Sequence, residues 1–314
     1  MPTRKSPRKG SLQFWPRKRA RKILPRVNWN AISSGKNLKG MIGYKAGMVS
    51  VLVKDNTPDS MTKGKQIIVP STIIEIPGLK ILGVRFYKNG VVAQDILSNS
   101  LDKELKSKLK LPKNYSKKIE EVKSEDYDDI SVVAYSQVKK TGIKKTPDIA
   151  EFGLVGTKEE KFNFVKDKIG KDILASEILE DKQLVDIRGL TRGKGLQGPV
   201  KRFGIHLKDH KSEKGQRRPG SIGPWHPARV TFRVPMAGQL GMFTRAHYNF
   251  KIIKIGGKED PIKDIKNYGN TKSDYILVRG SVQGASKRQL IVSFPLRESK
   301  KQKKKDYEFV RVLK

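Results

Sequence analysis

The uneven distribution of charge is the feature that most restricts how this chain can fold. Its 314 residues carry 67 Lys+Arg against 31 Asp+Glu, a formal net charge of +36. Residues 1–30 contain ten Lys/Arg and no acid, whereas residues 95–186 contain 18 Lys and 19 Asp/Glu. A surplus of like charge repels itself unless a polyanion neutralises it. The sequence therefore predicts one near-neutral part that faces water and another part that faces a polyanion.

Composition excludes several classes of protein. Cysteine is absent, which excludes disulfides, cysteine-ligated zinc, iron–sulfur clusters and thiol catalysis. No apolar run approaches the roughly 18 residues needed to span a bilayer, and no apolar segment follows the basic N-terminus as it would in a secretory signal. We expect a cytoplasmic protein that has no membrane partner, no small-molecule substrate and no cofactor, and that is not a homo-oligomer.

The apolar pattern predicts a mainly β fold with an α+β insertion. Segments rich in Val, Ile and Tyr, punctuated by Gly, Pro and Asn-Gly, predict strands at 41–53, 66–76, 79–87, 91–97, 130–138, 184–190, 250–255, 275–282 and 290–294. Several short strands in succession favour a barrel or a sandwich. Leu101, Leu105 and Leu109 recur at helical spacing, and residues 171–180 present a helical apolar face.

These elements predict a division of the chain by charge and periodicity. The predicted parts are a basic arm at 1–40, a β-barrel domain at 41–94 and 184–299 that includes a long loop at 196–240, an α+β insertion at 95–183, and a basic tail at 300–314. The run KKQKKK at 300–305 fits a solvated tip as well as it fits an RNA contact.

The N-terminal arm has four prolines, no sustained helical period and too few apolar residues for a core of its own. Such a segment should be disordered when it is alone. Phe14 and Trp15 directly precede Pro16-Arg17-Lys18-Arg19. Aromatic side chains beside cations can stack on bases while the cations meet phosphates. The alternative is that the two rings pin the arm to the protein's own core.

Gly193, Gly195 and Gly198 satisfy G-x-G-x-x-G, yet they do not predict a dinucleotide site. Such a site needs a helix that opens at the glycines and an acidic residue about 20 positions on. Here Pro199 follows at once, without a helical apolar period or the acid. Glycines among arginines and lysines instead allow the backbone to approach phosphates closely.

The stretch 196–240 lacks a clear core pattern, and loops of that length are usually functional or disordered. At its centre the sequence SIGPWHPARV places Trp225 between prolines, which stiffen the backbone. A rigid indole at the end of a basic excursion suits stacking on RNA, and the alternative is a core tryptophan.

Metal and catalytic sites are not predicted. His206 and His210 could share a helical face, but Asp209 is the one evident additional ligand and Leu207 replaces the glutamate of H-E-x-x-H. No nucleophile–base pair stands out either.

Six motifs together carry a family resemblance: GSLQFWPRKRA (10–20), IGYKAGM (42–48), VVAYSQVKKTG (132–142), RGLTRGKGLQGPVKRFG (188–204), SIGPWHPARV (221–230) and MAGQLGMFTR (236–245). In this order they resemble the universal third protein of the large ribosomal subunit in its archaeal–eukaryotic form, from about residue 8 to residue 295. The bacterial branch lacks Trp225 and the aromatic–basic arm.

The resemblance implies a ribosomal, rRNA-binding protein without catalytic residues that supports early subunit assembly and has neighbouring large-subunit proteins as partners. It implies a translation-protein-type β-barrel, an arm that enters the RNA, and a loop that approaches the peptidyl transferase centre with Trp225 at its tip. One departure is Lys211-Ser212-Glu213, where eukaryotic relatives have Lys-Thr-His, so no role of that histidine carries over.

The predicted rRNA-binding residues are the basic and aromatic side chains of the arm and the loop: Arg4, Lys5, Arg8, Lys9, Phe14, Trp15, Arg17, Lys18, Arg19, Arg21, Lys22, Arg192, Lys194, Lys201, Arg202, Arg217, Arg218, Trp225, His226, Arg229, Arg233 and Arg245. Two rival interpretations are a DNA-compacting protein, which shares the charge but does not need the motif series, and an RNA-modifying enzyme, which needs a cofactor pocket.

Overall fold

The chain is described by a computed structural model that covers residues 8–112, 119, 122, 126–212 and 214–313. It divides into two compact units. The arm–loop unit comprises Met1–Ile23 and Leu190–Arg245, and the β unit comprises Leu24–Gly189 and Ala246–Lys314. Each helix of the described residues is too short or too polar to cross a membrane.

Strands dominate the secondary structure, as the sequence predicts. Within the described residues the strands are β1 (Gly40–Asp55), β2 (Gln66–Glu75), β3 (Leu79–Lys88), β4 (Val91–Leu97), β5 (Asp129–Ser136), β6 (Ile149–Gly153), β7 (Asp172–Ile173), β8 (Leu184–Leu190), β9 (Leu196–Gln197), β10 (Gly238–Gln239), β11 (Thr244–Gly256), β12 (Tyr275–Arg279), β13 (Gln289–Ser293) and β14 (Tyr307–Leu313). All nine predicted strands are confirmed, and β6 and β14 add pairings that the sequence pattern did not predict.

The helices in the described residues are few and short. They are α1 (Lys158–Lys168), α2 (Ala175–Ile178), α3 (Pro199–Phe203) and α4 (Lys300–Lys303), with 3-10 turns at Leu12–Phe14, Trp29–Ala31, Lys103–Ser107 and Val138–Thr141. The predicted helix through Leu101 and Leu109 is wrong, because only the 3-10 turn around buried Leu105 forms there. The predicted helix at 171–180 is also wrong in extent, since β7 and α2 share that segment.

The larger sheet of the β unit is organised by one long strand. Its order is β13-β8-β11-β12-β2-β1-β14, and β1 also pairs with β13. The first half of β1 pairs with β13 from Gly40↔Ser293, and its second half pairs with β14 from Ser50↔Leu313, while β2 occupies the other edge. Because β13 pairs with both β8 and β1, the strands from β13 to β1 form a closed series of hydrogen-bonded pairs.

The smaller sheet of the β unit has the order β4-β3-β5-β6, with β7 added to β3. Strands β3 and β4 lie in the range that the sequence pattern assigns to the barrel, yet they pair with the strands of the α+β segment. Strand β14 likewise lies in the predicted tail but extends the larger sheet.

Both sheets of the β unit bury their side chains in one hydrophobic cluster. Ile42, Ile74 and Val292 of the larger sheet and Val132 and Phe152 of the smaller sheet are all fully buried within it. Burial of such side chains stabilises a fold by roughly 1.5–3 kcal/mol each. The α+β segment is therefore not an independent module, because its core is continuous with that of the larger sheet.

A buried hydroxyl also links the two sheets. The phenol of Tyr44, on β1, donates to the Asp148 carboxylate at 2.6 Å and lies 2.7 Å from the Ser136 hydroxyl at the end of β5. Burial and then the Asp148 charge raise the pKa of Tyr44 well above its usual value. The phenol therefore stays protonated and keeps donating.

A buried carboxylate fixes the connection between β11 and β12. Glu75 is fully buried and accepts the backbone N–H groups of Lys272 and Ser273 at 2.7 and 2.8 Å. It also accepts the Ser273 hydroxyl at 2.9 Å and the Tyr268 phenol. Burial and then the Glu75 charge raise the pKa of Tyr268, so the phenol remains a donor.

We predict that Glu75→Ala lowers the free energy of unfolding by about 2–5 kcal/mol, because several buried donors lose their acceptor together. The matched control is Glu259→Ala, which removes an exposed carboxylate from the same connection and should change stability by less than about 0.5 kcal/mol. Denaturant unfolding of the full chain measures both values. Equal effects of the two substitutions would contradict an anchoring role for Glu75.

Candidate nucleic-acid interface

The arm–loop unit holds a large positive charge that its own acids do not balance. Residues 1–23 contain nine Lys/Arg, and residues 190–245 contain twelve. Against these the same ranges contain only Asp209 and Glu213. Asp209 is engaged locally, with its carboxylate 2.8 Å from Nδ1 of His210. The unit therefore presents cations with little internal neutralisation, which is the electrostatic footprint of a polyanion-binding surface.

The base of the long loop is a small hairpin followed by a helix. Strands β9 and β10 pair through Gly238↔Gln197 and Gln239↔Leu196. A helix does open after Gly198, with Pro199 as its first residue, although the sequence pattern did not predict one. Proline suits the first helical position because the N–H it lacks would have no partner there. The helix ends after five residues at Gly204, whose φ is 67°, a value that suits glycine.

Arg202 braces this hairpin instead of projecting freely. Its Nε donates to the carbonyl of Gln239 at 3.0 Å and its Nη1 to the carbonyl of Met236 at 3.0 Å. These neutral acceptors fix the guanidinium without cancelling its charge. Burial lowers the pKa of Arg202 from its usual value, yet an arginine remains charged at any physiological pH.

The arm packs on the loop through aromatic rings. The indole of Trp15 is stacked on Phe203, with centroids 6.1 Å apart, and meets the edge of Phe232 at 5.6 Å. Trp15 therefore holds the arm against residues of the arm–loop unit and not against the hydrophobic core clusters. Phe14 stays 53% exposed, with the Arg245 guanidinium 4.5 Å from its ring centroid.

Hydrogen bonds to backbone carbonyls complete the junction of arm and loop. Arg17 Nη1 donates to the carbonyl of Arg202 at 3.1 Å, and Arg8 Nη1 to that of Arg233 at 2.8 Å. The backbone N–H of Ala20 donates to the carbonyl of Met242 at 2.9 Å. The arm from residue 8 onward is thus held to the loop by donors that meet uncharged backbone carbonyls.

Four arginines meet at this junction. Burial lowers the pKa of Arg17 first, and the charges of Arg202, Arg245 and Arg8 lower it further. The guanidinium of Arg17 also lies 4.3 Å from the ring centroid of Phe203 and 5.6 Å from that of Trp15. Cation–π contacts stabilise such a group by about 0.5–2 kcal/mol. The mutual repulsion of the arginines opposes that gain.

The structure separates the predicted RNA-contacting residues by exposure. Those open to solvent are Phe14, Lys18, Arg19, Arg21, Lys22, Arg192, Lys194, Lys201, Arg217, Arg218, Trp225, His226, Arg229 and Arg233. Those half-buried are Arg8, Lys9, Trp15, Arg17, Arg202 and Arg245. Arg4, Lys5 and the departure at Glu213 lie outside the described residues.

Trp225 differs from Trp15 in having an almost free side chain. It is 86% exposed, and each residue from Ser221 to Arg233 is exposed as well. The core alternative for Trp225 therefore does not describe this structure. An indole offered to solvent in a basic segment can stack on a base.

Sequence reasoning missed the aromatic partners that hold the arm. Phe203 is 7% exposed and lies under Trp15, Arg17 and Arg202. Its signal was an apolar residue directly after Lys201-Arg202 in a segment without other core candidates. Its partner Trp15 lies far away in sequence, so the contact could not be read from local spacing.

Comparisons with known proteins agree with this picture. A family model described as ribosomal protein L3 matches residues 1–312. The "Large ribosomal subunit protein uL3" of Methanobrevibacter smithii is 40% identical to this chain, over 94% of the chain and 93% of the relative. The proteins of the same name from Archaeoglobus fulgidus and Methanospirillum hungatei are 39% and 37% identical, over 94% and 95% of the chain and 93% and 94% of the relatives.

These matches extend over nearly the full sequence. The resemblance found in the sequence is confirmed: the chain belongs to the ribosomal protein L3 family.

Proposed function

We propose that this chain binds large-subunit ribosomal RNA directly, with the arm–loop unit as its main contact surface. As a member of its family it is a structural, non-enzymatic constituent of the large ribosomal subunit in the cytoplasm. The RNA-binding proposal rests on the density of cations in the arm–loop unit. Both segments of the unit are rich in arginine and lysine, and together they contain only two acidic residues. Phosphate neutralisation is the dominant source of affinity in such interfaces.

We also propose that the larger sheet is a translation-protein-type β-barrel. The additional pairing of β13 with β1 supports this, because it joins the strands into a continuous ring. The near-neutral α+β segment at 95–183 suits the solvent side of the protein. We place β3 and β4 with that segment, since they share its sheet.

The loop tip is proposed to reach toward the peptidyl transferase centre, and the protein to support early subunit assembly. The family resemblance suggests both roles. The exposed Trp225 and its exposed neighbours support the first, because side chains open to solvent are available to RNA. Neighbouring large-subunit proteins are the further partners proposed.

The RNA-binding proposal predicts a steep salt dependence. Affinity of the full chain for large-subunit rRNA fragments should fall with a log–log slope of about −0.7 to −0.9 for each phosphate contact. The double substitution R217Q/R218Q, in the exposed loop, should reduce the magnitude of that slope by about 1.5. Filter binding or fluorescence anisotropy at several salt concentrations measures it.

The matched control is K106Q/K110Q, which removes two exposed cations from the near-neutral segment. It should leave the slope unchanged. A flat slope for the native chain, or equal losses in the two variants, would overturn the assignment of the arm–loop unit as the contact surface. Competition with duplex DNA at equal salt distinguishes specific rRNA binding from general compaction of nucleic acid.

The loop-tip proposal predicts a functional effect without a structural one. Trp225→Ala should change the free energy of unfolding by less than about 0.5 kcal/mol while it impairs tRNA binding by purified subunits that carry the variant. The contrasting control is Trp29→Ala, because the Trp29 indole donates to the Glu151 carbonyl at 2.7 Å and packs on Phe152. Trp29→Ala should cost about 3 kcal/mol or more. A large stability loss for Trp225→Ala would contradict the proposal.

A further inference from the structure

The junction of arm and loop contains buried donors that the protein does not satisfy. Nε and Nη2 of Arg8 and Nε1 of Trp15 are buried, and none of them has a hydrogen-bond partner in the described part of the chain. The third nitrogen of the Arg8 guanidinium, Nη1, donates to the carbonyl of Arg233. Buried donors without acceptors are rare in folded proteins and call for an explanation.

The chemistry of these groups specifies what they need. Guanidinium and indole nitrogens are donors and never acceptors. Each buried donor that stays unsatisfied destabilises the fold, and a charged one does so more strongly. The arm has no carboxylate to offer, because residues 1–23 contain no acid. A charged acceptor must therefore come from outside the arm.

The local field adds a requirement for negative charge. Arg8, Arg202 and Arg245 are close enough to Arg17 for their charges to lower its pKa. A water molecule could satisfy a donor, but it would leave the repulsion among the guanidiniums in place. An anion with several acceptor oxygens relieves both. Phosphate groups meet this description, and arginine recognises them through paired N–H donors.

Because these nitrogens are occluded in the closed arrangement, an anion reaches them only when the arm moves away from the loop. Phe14 and Pro16, the chain neighbours of Trp15, are exposed, and so are Ser11 and Leu12 further along the arm. The neutral contacts that hold the arm, such as the stacking of Trp15 on Phe203, can form with or without an anion. The anion would then decide how firmly the arm stays closed.

We propose that Arg8, Trp15 and Arg17 form a binding site for a single phosphate group, and that its occupation locks the arm onto the loop. This rests on the proposed function, because the phosphate in the ribosome is a phosphodiester of the RNA backbone. It goes further by naming one site, one chemical group and one structural consequence. The arm is thereby an anion-dependent clasp and not simply a basic tail.

The test is hydrogen exchange of the full chain, read by mass spectrometry on peptides from residues 8–23 and 236–245. Inorganic phosphate is compared with chloride at equal ionic strength, and an rRNA fragment is tested in a separate set of measurements. Phosphate should slow exchange in both segments of the native chain, whereas chloride should not. The phosphate concentration that gives half of the effect is the measured affinity.

Two conservative variants remove donors without removing the packing. Trp15→Phe keeps a ring to stack on Phe203 but lacks the N–H, and Arg8→Gln keeps one donor for the Arg233 carbonyl. Each should weaken the phosphate effect by about fivefold to tenfold, as expected for a hydrogen bond worth roughly 1–1.5 kcal/mol. The matched control is Arg297→Gln, an exposed arginine of the β unit, which should keep the native response.

The outcomes separate this inference from the proposed function. Equal responses to phosphate and chloride, or an equal response in Trp15→Phe, Arg8→Gln and Arg297→Gln, would overturn the site. If the rRNA fragment still binds with a steep salt slope in that case, the proposed function stands alone. If phosphate protects the arm as expected but the rRNA fragment does not bind, the site stands and the proposed function fails.

Discussion

Positive charge that the arm–loop unit cannot neutralise by itself is the constraint on which this structure depends. The unit gathers arginines from two distant segments and has Asp209 and Glu213 as its acids. The contacts that hold the unit together are individually weak. They are a stacked indole, cation–π pairs and hydrogen bonds to backbone carbonyls. Interactions of these kinds contribute about 1 kcal/mol each. They specify one arrangement of the arm, and the repulsion among the guanidiniums limits how strongly it is held.

The fold of the β unit depends on a different constraint, which is the burial of apolar side chains. Its two sheets share a continuous core and are linked by Tyr44, Ser136 and Asp148. Many of its carboxylates pair with lysine or arginine, as in the contacts of Arg85 with Asp95 and Glu151. A part of the chain that satisfies its own apolar and polar groups can fold without a ligand. The two units therefore differ in kind, and the charge asymmetry along the sequence reflects that difference.

The strands were predictable from the sequence because their signal is local. Val, Ile and Tyr between Gly and Asn-Gly turns report a pleated, half-buried segment wherever they occur. The helix predictions were wrong for the converse reason. The leucines from Leu101 to Leu109 have the right spacing, but Leu105 is fully buried, Leu101 is only partly buried against the same small cluster, and Leu109 is exposed. The helix α1 was missed although Thr157 and Glu160 form a capping box, a signal that needs no apolar period. Strand β14 was not predicted because it follows a lysine run that has no strand pattern. Its partner, the second half of β1, lies far away in sequence.

The candidate site was predictable as a composition but not as a geometry. Counting cations identified the arm and the loop, and it could not show that Trp15 lies on Phe203 or that Arg8 keeps two buried donors without a partner. Those facts depend on contacts between segments about 190 residues apart. They also change what the charge means. A ligand that binds only the closed arm stabilises it in proportion to the logarithm of its concentration above the dissociation constant. In the proposed phosphate site the unmatched donors and the unmatched charge act together, and both place the final part of the folding free energy of this unit outside the chain, in the anion.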